Sequence, residues 1–308
     1  MSEPSLAGPP APGSEPLLDD AELGRLHETV EAALRARSEE SLDVVGWGEI
    51  SIGVGWPRGA NRVVAKRMPG LGSRAAFDAY APLLGRYREA LERAGIATLR
   101  TDVRAVDVAG GGVVAYALQP LLSADALGPA VLRASDPGEG HPIIEALARL
   151  AAQALSTSVG IDAQIANWGW VAGAPVYFDV TTPLMRDAAG ADEMDFDLLL
   201  SAYPWALRGL LRRFVAPGIV DTYFDLRRIY LDLCGNLIKE RLEGWLEPVL
   251  ASCNRHLRPP LTADVVARYY RSDARLWAFV QRIRRADRAW HRLRRRTYPY
   301  LIPGEIQR

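Results

Sequence analysis

Short β-branched segments are concentrated in the first 120 residues of the chain, and this order limits the folds that it can adopt. The strand-like segments are 42–49, 51–56, 62–68, 101–108 and 113–118. A helical stretch at 74–94 interrupts them, and the run Ala109-Gly110-Gly111-Gly112 is typical of a β-hairpin turn. After residue 142 nearly every segment has the apolar spacing of an amphipathic helix.

A run of strands followed by a run of helices indicates an α+β fold. The first 19 residues are rich in proline, glycine, serine and alanine, so we predict a disordered tail at 1–19. We predict a helix and then a β-rich part over 20–119, and a mostly helical part over 120–308.

The charge balance and the rare residues exclude several classes of protein. The 308 residues carry 37 basic and 37 acidic side chains, so nothing favours nucleic acid or an anionic membrane as a partner. No apolar run approaches the ~20 residues that a bilayer span needs, and the N-terminus lacks the pattern of a secretory signal. Two cysteines and four dispersed histidines predict neither a disulfide framework nor a zinc site. We expect a cytoplasmic protein.

Lysine is scarce among the basic residues. Only Lys66 and Lys239 are lysines, and all other basic residues are arginine. A lysine kept in that background is more often one whose position requires an ammonium group. Lys66 ends the segment Val63-Val64-Ala65-Lys66 in the third predicted strand.

The loop that follows the helical stretch at 142–159 has the D-x-x-x-x-N pattern of a phosphoryl-transfer loop. Asp162 stands five residues before Asn167. In that chemistry the aspartate faces the acceptor hydroxyl, and the amide oxygen of the asparagine faces a metal bound to the phosphates. Both residue types are common in loops, so the pattern alone is weak.

A second acid, Asp179, lies twelve residues beyond Asn167, at the end of the strand-like segment 175–180. A hairpin between Trp168 and Phe178 would bring Asn167 and Asp179 together at its open end. One amide oxygen and one carboxylate predict a Mg²⁺ site that also uses phosphate oxygens.

Glycines lie in the first strand–turn–strand unit, and acids lie in the helix after the third strand. Gly46, Gly48 and Ser51 occupy the three glycine positions of G-x-G-x-x-G, with serine at the third. Glycine there lets backbone N–H groups approach phosphates.

The helix after the third strand offers a carboxylate for the lysine. Glu89 or Glu92 could hold the lysine, and Glu89, further inside the helix, is preferred.

This succession of motifs, over about residues 40–185, resembles the protein-kinase-like superfamily, and most closely its small-molecule branch of aminoglycoside and choline phosphotransferases. The resemblance implies a two-lobed fold, with a small antiparallel β-rich lobe and a helical lobe, that binds ATP and Mg²⁺. It implies transfer to a hydroxyl of a small-molecule acceptor. The implied base is Asp162, the metal ligands are Asn167 and Asp179, and Lys66 with Glu89 clamps the phosphates. Backbone groups around 118–121 would meet the adenine.

Several departures from the superfamily leave alternatives open. Gly160-Ile161 stands where protein kinases have His-Arg, and Val180-Thr181 replaces Phe-Gly after Asp179. No A-P-E segment is present. A catalytically inactive module that binds a nucleotide or a partner is the first alternative, and an unrelated α+β protein with coincidental matches is the second.

An arginine-rich segment at 282–296 contains eight arginines. Its simplest interpretation is a solvated helix face, and the alternative is a patch for an anionic substrate or nucleic acid. The neutral charge of the whole chain favours the solvated face.

Overall fold

Five antiparallel strands form the main sheet in the computed structural model, which describes residues 15–47, 52–68, 71, 73–110, 112–195, 218, 220–272 and 282. The strands are β1 (Asp43–Trp47), β2 (Ile52–Trp56), β3 (Val63–Met68), β4 (Asp102–Val108) and β5 (Gly112–Pro120). Their order across the sheet is β1-β2-β3-β5-β4. The predicted α+β class is confirmed, and the ends of the five strands predicted before residue 120 lie within two residues of the observed ones.

The helix α1 (Asp20–Ala36) covers the outer face of this sheet. Asp19 caps it with its side chain, and Glu22 completes the capping box. The predicted tail extends too far, because residues 15–19 are part of the fold. Leu18 is fully buried, and the Leu17 N–H donates to Asp102 Oδ2 at 2.9 Å. Residues 1–14 lie outside the described residues.

The helix α2 (Arg74–Arg93) connects β3 to β4 and packs on the inner face of the sheet. Ser73 caps its first turn through a hydrogen bond to the Ala76 N–H. Strand side chains alternate between the two faces, so Val63 and Ala65 join the outer cluster while Met68 joins the inner one. Lys66 has the same parity as Met68 and therefore lies on the inner face.

The remaining described elements are mainly helical. They are α3 (Gly128–Arg133), α4 (Pro142–Ala154), the hairpin strands β6 (Trp168–Val171) and β7 (Ala174–Tyr177), α5 (Leu226–Lys239) and α6 (Leu246–Asn254), followed by helical residues at 263–272. Among the described helices, none has the length and apolarity to cross a bilayer. The segments 196–217, 273–281 and 283–308 lie outside the described residues, so nearly all of the arginine-rich segment 282–296 does too.

Two clusters of buried side chains lie on the two faces of the sheet. The outer cluster joins α1 to β2, β3 and β5. The inner cluster joins α2 and β5 to α4, α5 and α6, so it spans both the β-rich and the helical parts. The inner cluster surrounds the loops that follow α4 and β7, and these loops carry Asp162 and Asp179.

Candidate functional site

The hairpin formed by β6 and β7 brings Asn167 and Asp179 to the same end. Trp168 pairs with Tyr177, and the Phe178 N–H donates to the Asn167 carbonyl at 3.0 Å. The turn has positive φ angles at Ala172 (50°) and Gly173 (80°), the left-handed conformation that suits a two-residue hairpin. The hairpin predicted between Trp168 and Phe178 is confirmed.

Lys66 reaches this end of the hairpin from the sheet. Its Nζ lies 3.2 Å from Asp179 Oδ1, although the two residues are 113 positions apart in the chain. The side chains are 19% and 35% exposed, so the pair is partly buried; we call the space beside it the cleft. The Thr181 hydroxyl donates to the same carboxylate oxygen at 3.3 Å. The structure therefore brings the strand lysine and the acid after the hairpin together.

Asp162 and Asn167 are linked through the loop that contains them. The Asn167 amide nitrogen donates to the Asp162 carbonyl at 3.3 Å, which leaves the amide oxygen available to a ligand. The Gln164 N–H donates to Asp162 Oδ1 at 3.2 Å. Burial raises the pKa of Asp162 well above its usual range, and the negative charges of Asp232 and Asp179 raise it further. Asn167 joins the two acid-bearing segments, because its amide donates to the Asp162 carbonyl and its own carbonyl accepts from the N–H of Phe178, the residue before Asp179.

The backbone before Asp162 passes very close to the segment before α5. The Ile161 N–H donates to the Tyr223 carbonyl at 3.1 Å. A Cβ atom on Gly160 would lie 2.6 Å from that carbonyl oxygen, so only glycine fits. This approach gives a spatial reason for one of the departures from the kinase pattern, the glycine at position 160.

A polar network from α5 supports the same loop. Asn236 is buried; its Oδ1 accepts from the Ala166 N–H at 3.2 Å, and its amide donates to Gln164 Oε1 at 3.1 Å. The Gln164 amide donates to Asp232 Oδ2 at 2.6 Å, and the Tyr269 hydroxyl donates to Asp232 Oδ1 at 2.8 Å. Sequence reasoning missed this network because its members come from distant helices with no recognisable motif.

The prediction that Glu89 contacts Lys66 is wrong. Glu89 is exposed, and the ion pair that the structure gives Lys66 is with Asp179. A helix turns 100° per residue, so Glu89 lies about 200° from the buried Tyr87, on the opposite side of α2. Glu92, the other candidate, accepts a hydrogen bond from Thr98 Oγ1 at 2.7 Å and lies 3.8 Å from Arg88.

The glycine-rich turn is described only at its edges. Gly46 pairs with Gly53 next to a bulge in β1, and Gly53 pairs with Lys66 across β2 and β3. Gly48 and Ser51 lie outside the described residues, so their predicted contact with phosphates stays a prediction.

The strand β5 contributes a side chain that sequence reasoning missed. Gln119 is 3% exposed, and its amide donates to the Phe178 carbonyl at 2.7 Å and to Thr101 Oγ1 at 2.9 Å. It thereby fixes the residue before Asp179. The signal in the sequence was a glutamine near the end of an otherwise apolar strand.

The end of β5 carries the backbone groups for which the resemblance implies a contact with adenine, and that contact stays a prediction. Residues 118–120 are paired with β3, and the Leu121 N–H donates to the Arg62 carbonyl at 3.0 Å. Beyond them is a cavity of about 330 Å³ between the connection after β5 and the tip of the hairpin. Its lining residues are Leu121, Leu122, Ser123, Asp125, Ala126, Val131, Trp170, Val171 and Ala172.

Among the described side chains, no group of three or more histidines, cysteines, aspartates or glutamates is arranged to hold a metal ion. Asp179 and Asn167 supply two hard oxygen donors, and a dication held by them needs further oxygens from a ligand. The arrangement combines a cation, one carboxylate, one amide and a second acid with a raised pKa.

The fold and the site define an α+β protein with a Lys–Asp pair beside an Asp–Asn loop. The chain belongs to the Family of unknown function (DUF6206), whose model matches residues 25–288. The match includes all the described side chains of the site. No curated protein and no solved structure matches the chain.

Proposed function

We propose that the protein is an ATP- and Mg²⁺-dependent phosphotransferase that acts on a hydroxyl of a small molecule. One observation carries the proposal: Lys66, Asp162, Asn167 and Asp179, which sequence alone singled out, are joined by a chain of short contacts. Lys66 pairs with Asp179, the residue before Asp179 is bonded to Asn167 across the hairpin, and the Asn167 amide is bonded to the Asp162 carbonyl. A two-lobed, protein-kinase-like arrangement is part of the proposal. It is supported by the five-stranded antiparallel sheet with one helix after its third strand.

In the proposed reaction each side chain has one task. Lys66 holds the nucleotide phosphates by charge, and Asp162 accepts the proton of the acceptor hydroxyl. The raised pKa of Asp162 makes it a stronger base than an ordinary aspartate. Phosphoryl transfer depends mostly on positioning and on stabilisation of charge, so a preorganised set of polar groups is what the reaction requires.

The donor atoms suit Mg²⁺. Asp179 offers a carboxylate, and Asn167 offers an amide oxygen because its nitrogen is bound to the Asp162 carbonyl. Mg²⁺ binds few protein oxygens and uses substrate phosphates for the rest, so a two-residue donor set fits. When bound, the ion would neutralise charge on the phosphates. In the structure Asp179 forms an ion pair with Lys66, so a carboxylate and an ammonium group both lie at the cleft.

We place the base of the nucleotide at the cavity beside residues 121–126, next to the backbone positions expected at 118–121. Its volume of about 330 Å³ lies within the usual range of small-molecule sites. The walls are largely apolar, with Ser123 and Asp125 as the polar groups.

A catalytically inactive nucleotide-binding module is the second candidate, and one observation favours it. The helix α2 turns Glu89 to solvent, so Lys66 lacks the carboxylate partner that the resemblance implies. Measurement of binding and of turnover on the same samples separates the two candidates.

The test is calorimetry with ATP, with and without MgCl₂, followed by ATP turnover with a panel of hydroxyl-bearing acceptors. We expect binding that depends on Mg²⁺. Asp179→Ala should abolish the Mg²⁺-dependent part, because one amide cannot hold a hard dication. Asp162→Asn should leave Mg-ATP affinity nearly unchanged, while turnover falls by about two to four orders of magnitude, the range for loss of a general base.

Asp136→Asn is a matched control for Asp162→Asn. The Asp136 carboxylate accepts from the Gly138 N–H at 2.8 Å, which is the same two-residue backbone bond that Asp162 makes. Asp136 is exposed and lies away from the cleft, so its variant should behave as wild type. Unchanged Mg-ATP affinity in Asp179→Ala would rule out the metal site, and binding without turnover would favour the inactive module.

A further inference from the structure

The buried face of α2 carries two tyrosines where a carboxylate was expected. Tyr80 and Tyr87 are seven residues apart, or about two helical turns, and so lie on the same face. Tyr80 is 3% exposed and Tyr87 is fully buried. The Tyr80 hydroxyl donates to the Thr181 carbonyl at 2.8 Å, and the Tyr87 hydroxyl donates to the Gly160 carbonyl at 3.1 Å.

Each of these carbonyls lies two residues from one acid of the site. Thr181 follows Asp179, and its own hydroxyl donates back to Asp179 Oδ1 at 3.3 Å. Gly160 precedes Asp162. A single rigid helix therefore holds both acid-bearing segments, which come from different parts of the chain.

Both tyrosines are suited to act as neutral donors. Burial raises the pKa of each well above its usual range, with the charge of Asp179 adding to the effect on Tyr80 and that of Asp162 adding to the effect on Tyr87. A neutral hydroxyl adds no charge to the surroundings of the ion pair between Lys66 and Asp179.

We infer that Tyr80 and Tyr87 are positioning residues of the cleft: through hydroxyl-to-carbonyl hydrogen bonds, Tyr80 sets the position of Asp179 and Tyr87 sets that of Asp162. The consequence for catalysis rests on the proposed function. The geometric part, that loss of the Tyr80 hydroxyl loosens the pair of Asp179 with Lys66, does not depend on it.

The two lysines of the chain allow a direct test without any nucleotide. Wild-type protein, Tyr80→Phe and Tyr230→Phe are treated with a lysine-acylating reagent at one fixed pH, and mass spectrometry follows Lys66 against Lys239. Tyr230→Phe is the matched control, because that fully buried hydroxyl donates to the Ala148 carbonyl at 2.7 Å. We expect Lys66 to react about fivefold faster in Tyr80→Phe, the factor that corresponds to one typical hydrogen bond. In Tyr230→Phe the rate should equal that of wild type.

A split between affinity and rate provides the second readout. Tyr80→Phe should weaken Mg²⁺-dependent ATP binding because it acts through Asp179. Tyr87→Phe should lower turnover with ATP affinity unchanged because it acts through Asp162. A merely structural role predicts that both variants change the two quantities in the same way.

The outcomes distinguish the inference from the proposed function. An unchanged Lys66 rate in Tyr80→Phe, or an equal increase in Tyr230→Phe, would overturn the inference whatever the protein binds. Faster labelling of Lys66 in Tyr80→Phe alone supports it, even if wild-type protein binds no Mg-ATP and the proposed function fails.

Discussion

Lys66 is the cation of the cleft, and its surroundings differ from those that its sequence context implies. It lies on the inner face of β3, 3.2 Å from Asp179, and its Nζ also lies 5.9 Å from the centre of the Phe178 ring. An ammonium is a compact point charge, whereas a guanidinium is a wide planar group with a fixed fork of donors. In the proposed function, the space between Asp179 and a bound phosphate therefore discriminates between the two cations.

Lys66→Arg tests this discrimination. The variant should fold and melt as wild type does, because arginine keeps the positive charge and is already the usual cation of this chain. It should bind Mg-ATP more weakly and turn it over at least about tenfold more slowly, which corresponds to about 1.4 kcal/mol in the barrier. Calorimetry, thermal unfolding and steady-state kinetics measure the three quantities.

Lys239→Arg is the matched control for Lys66→Arg. Lys239 lies in the last turn of α5, where either cation interacts favourably with the helix end. Its stability should change by less than about 0.5 kcal/mol and its activity should not change. A Lys66→Arg variant with wild-type affinity and turnover would contradict the role given to the lysine.

At the scale of elements, the loop between α4 and β6 is held by close packing against the backbone before α5. Gly160→Ala would place a Cβ atom 2.6 Å from the Tyr223 carbonyl oxygen and 3.1 Å from Phe224 Cε2. Backbone atoms cannot move aside cheaply, so we expect a loss of about 1–3 kcal/mol in the free energy of unfolding. Turnover should fall as well, because Asp162 follows two residues later. Urea denaturation and kinetics measure the two effects.

Gly85→Ala is the comparison for Gly160→Ala. Gly85 lies on the exposed side of α2, and nothing lies within 4 Å of the position that its Cβ would occupy. Alanine there should stabilise the protein by about 0.5–1 kcal/mol through the higher helix propensity. Equal effects of the two substitutions would contradict the packing argument at Gly160.

Local elements of the fold could be predicted from the sequence, because the signals for them lie within a few residues. The hairpin of β6 and β7 is an example: its turn and its alternating strands all lie between Trp168 and Phe178. The position of Asn167 and Asp179 at the same end of the hairpin followed from that local geometry. The position of Lys66 could be predicted for the same reason, since its strand has a clear pattern.

Contacts that depend on the direction of a helix face could not be predicted in the same way. Glu89 was preferred for its place along α2, although its direction around the helix decides what it can reach. The apolar residues of α2 define a face that includes Tyr80 and Tyr87, and this face was a usable signal. The contacts of Gln164 with Asp232 and Asn236 had no such signal, because about 70 residues separate the partners.

At the scale of the whole molecule, one sheet has a core on each face. In β5, Tyr116 and Leu118 belong to the outer cluster, and Ala115 and Ala117 belong to the inner one. The alternation of a single central strand therefore joins α1 to the helical part of the chain. The predicted division at residue 119 separates the two parts of the sequence, but the inner cluster extends across it.

Because both cores share β5, we expect the described parts of the chain to unfold together. Leu26 of α1 is fully buried in the outer cluster and Leu147 of α4 is 1% exposed in the inner cluster. Leu26→Ala and Leu147→Ala should each lower the free energy of unfolding by about 2–5 kcal/mol, the range for a buried leucine. In each variant, urea curves from tryptophan fluorescence and far-ultraviolet circular dichroism should coincide in one transition.

Leu26→Ala lies on the face opposite the cleft, so the folded variant should keep the nucleotide affinity of the wild type. A separate early transition in Leu26→Ala, with the main transition unmoved, would show that α1 and the outer core unfold as an independent unit.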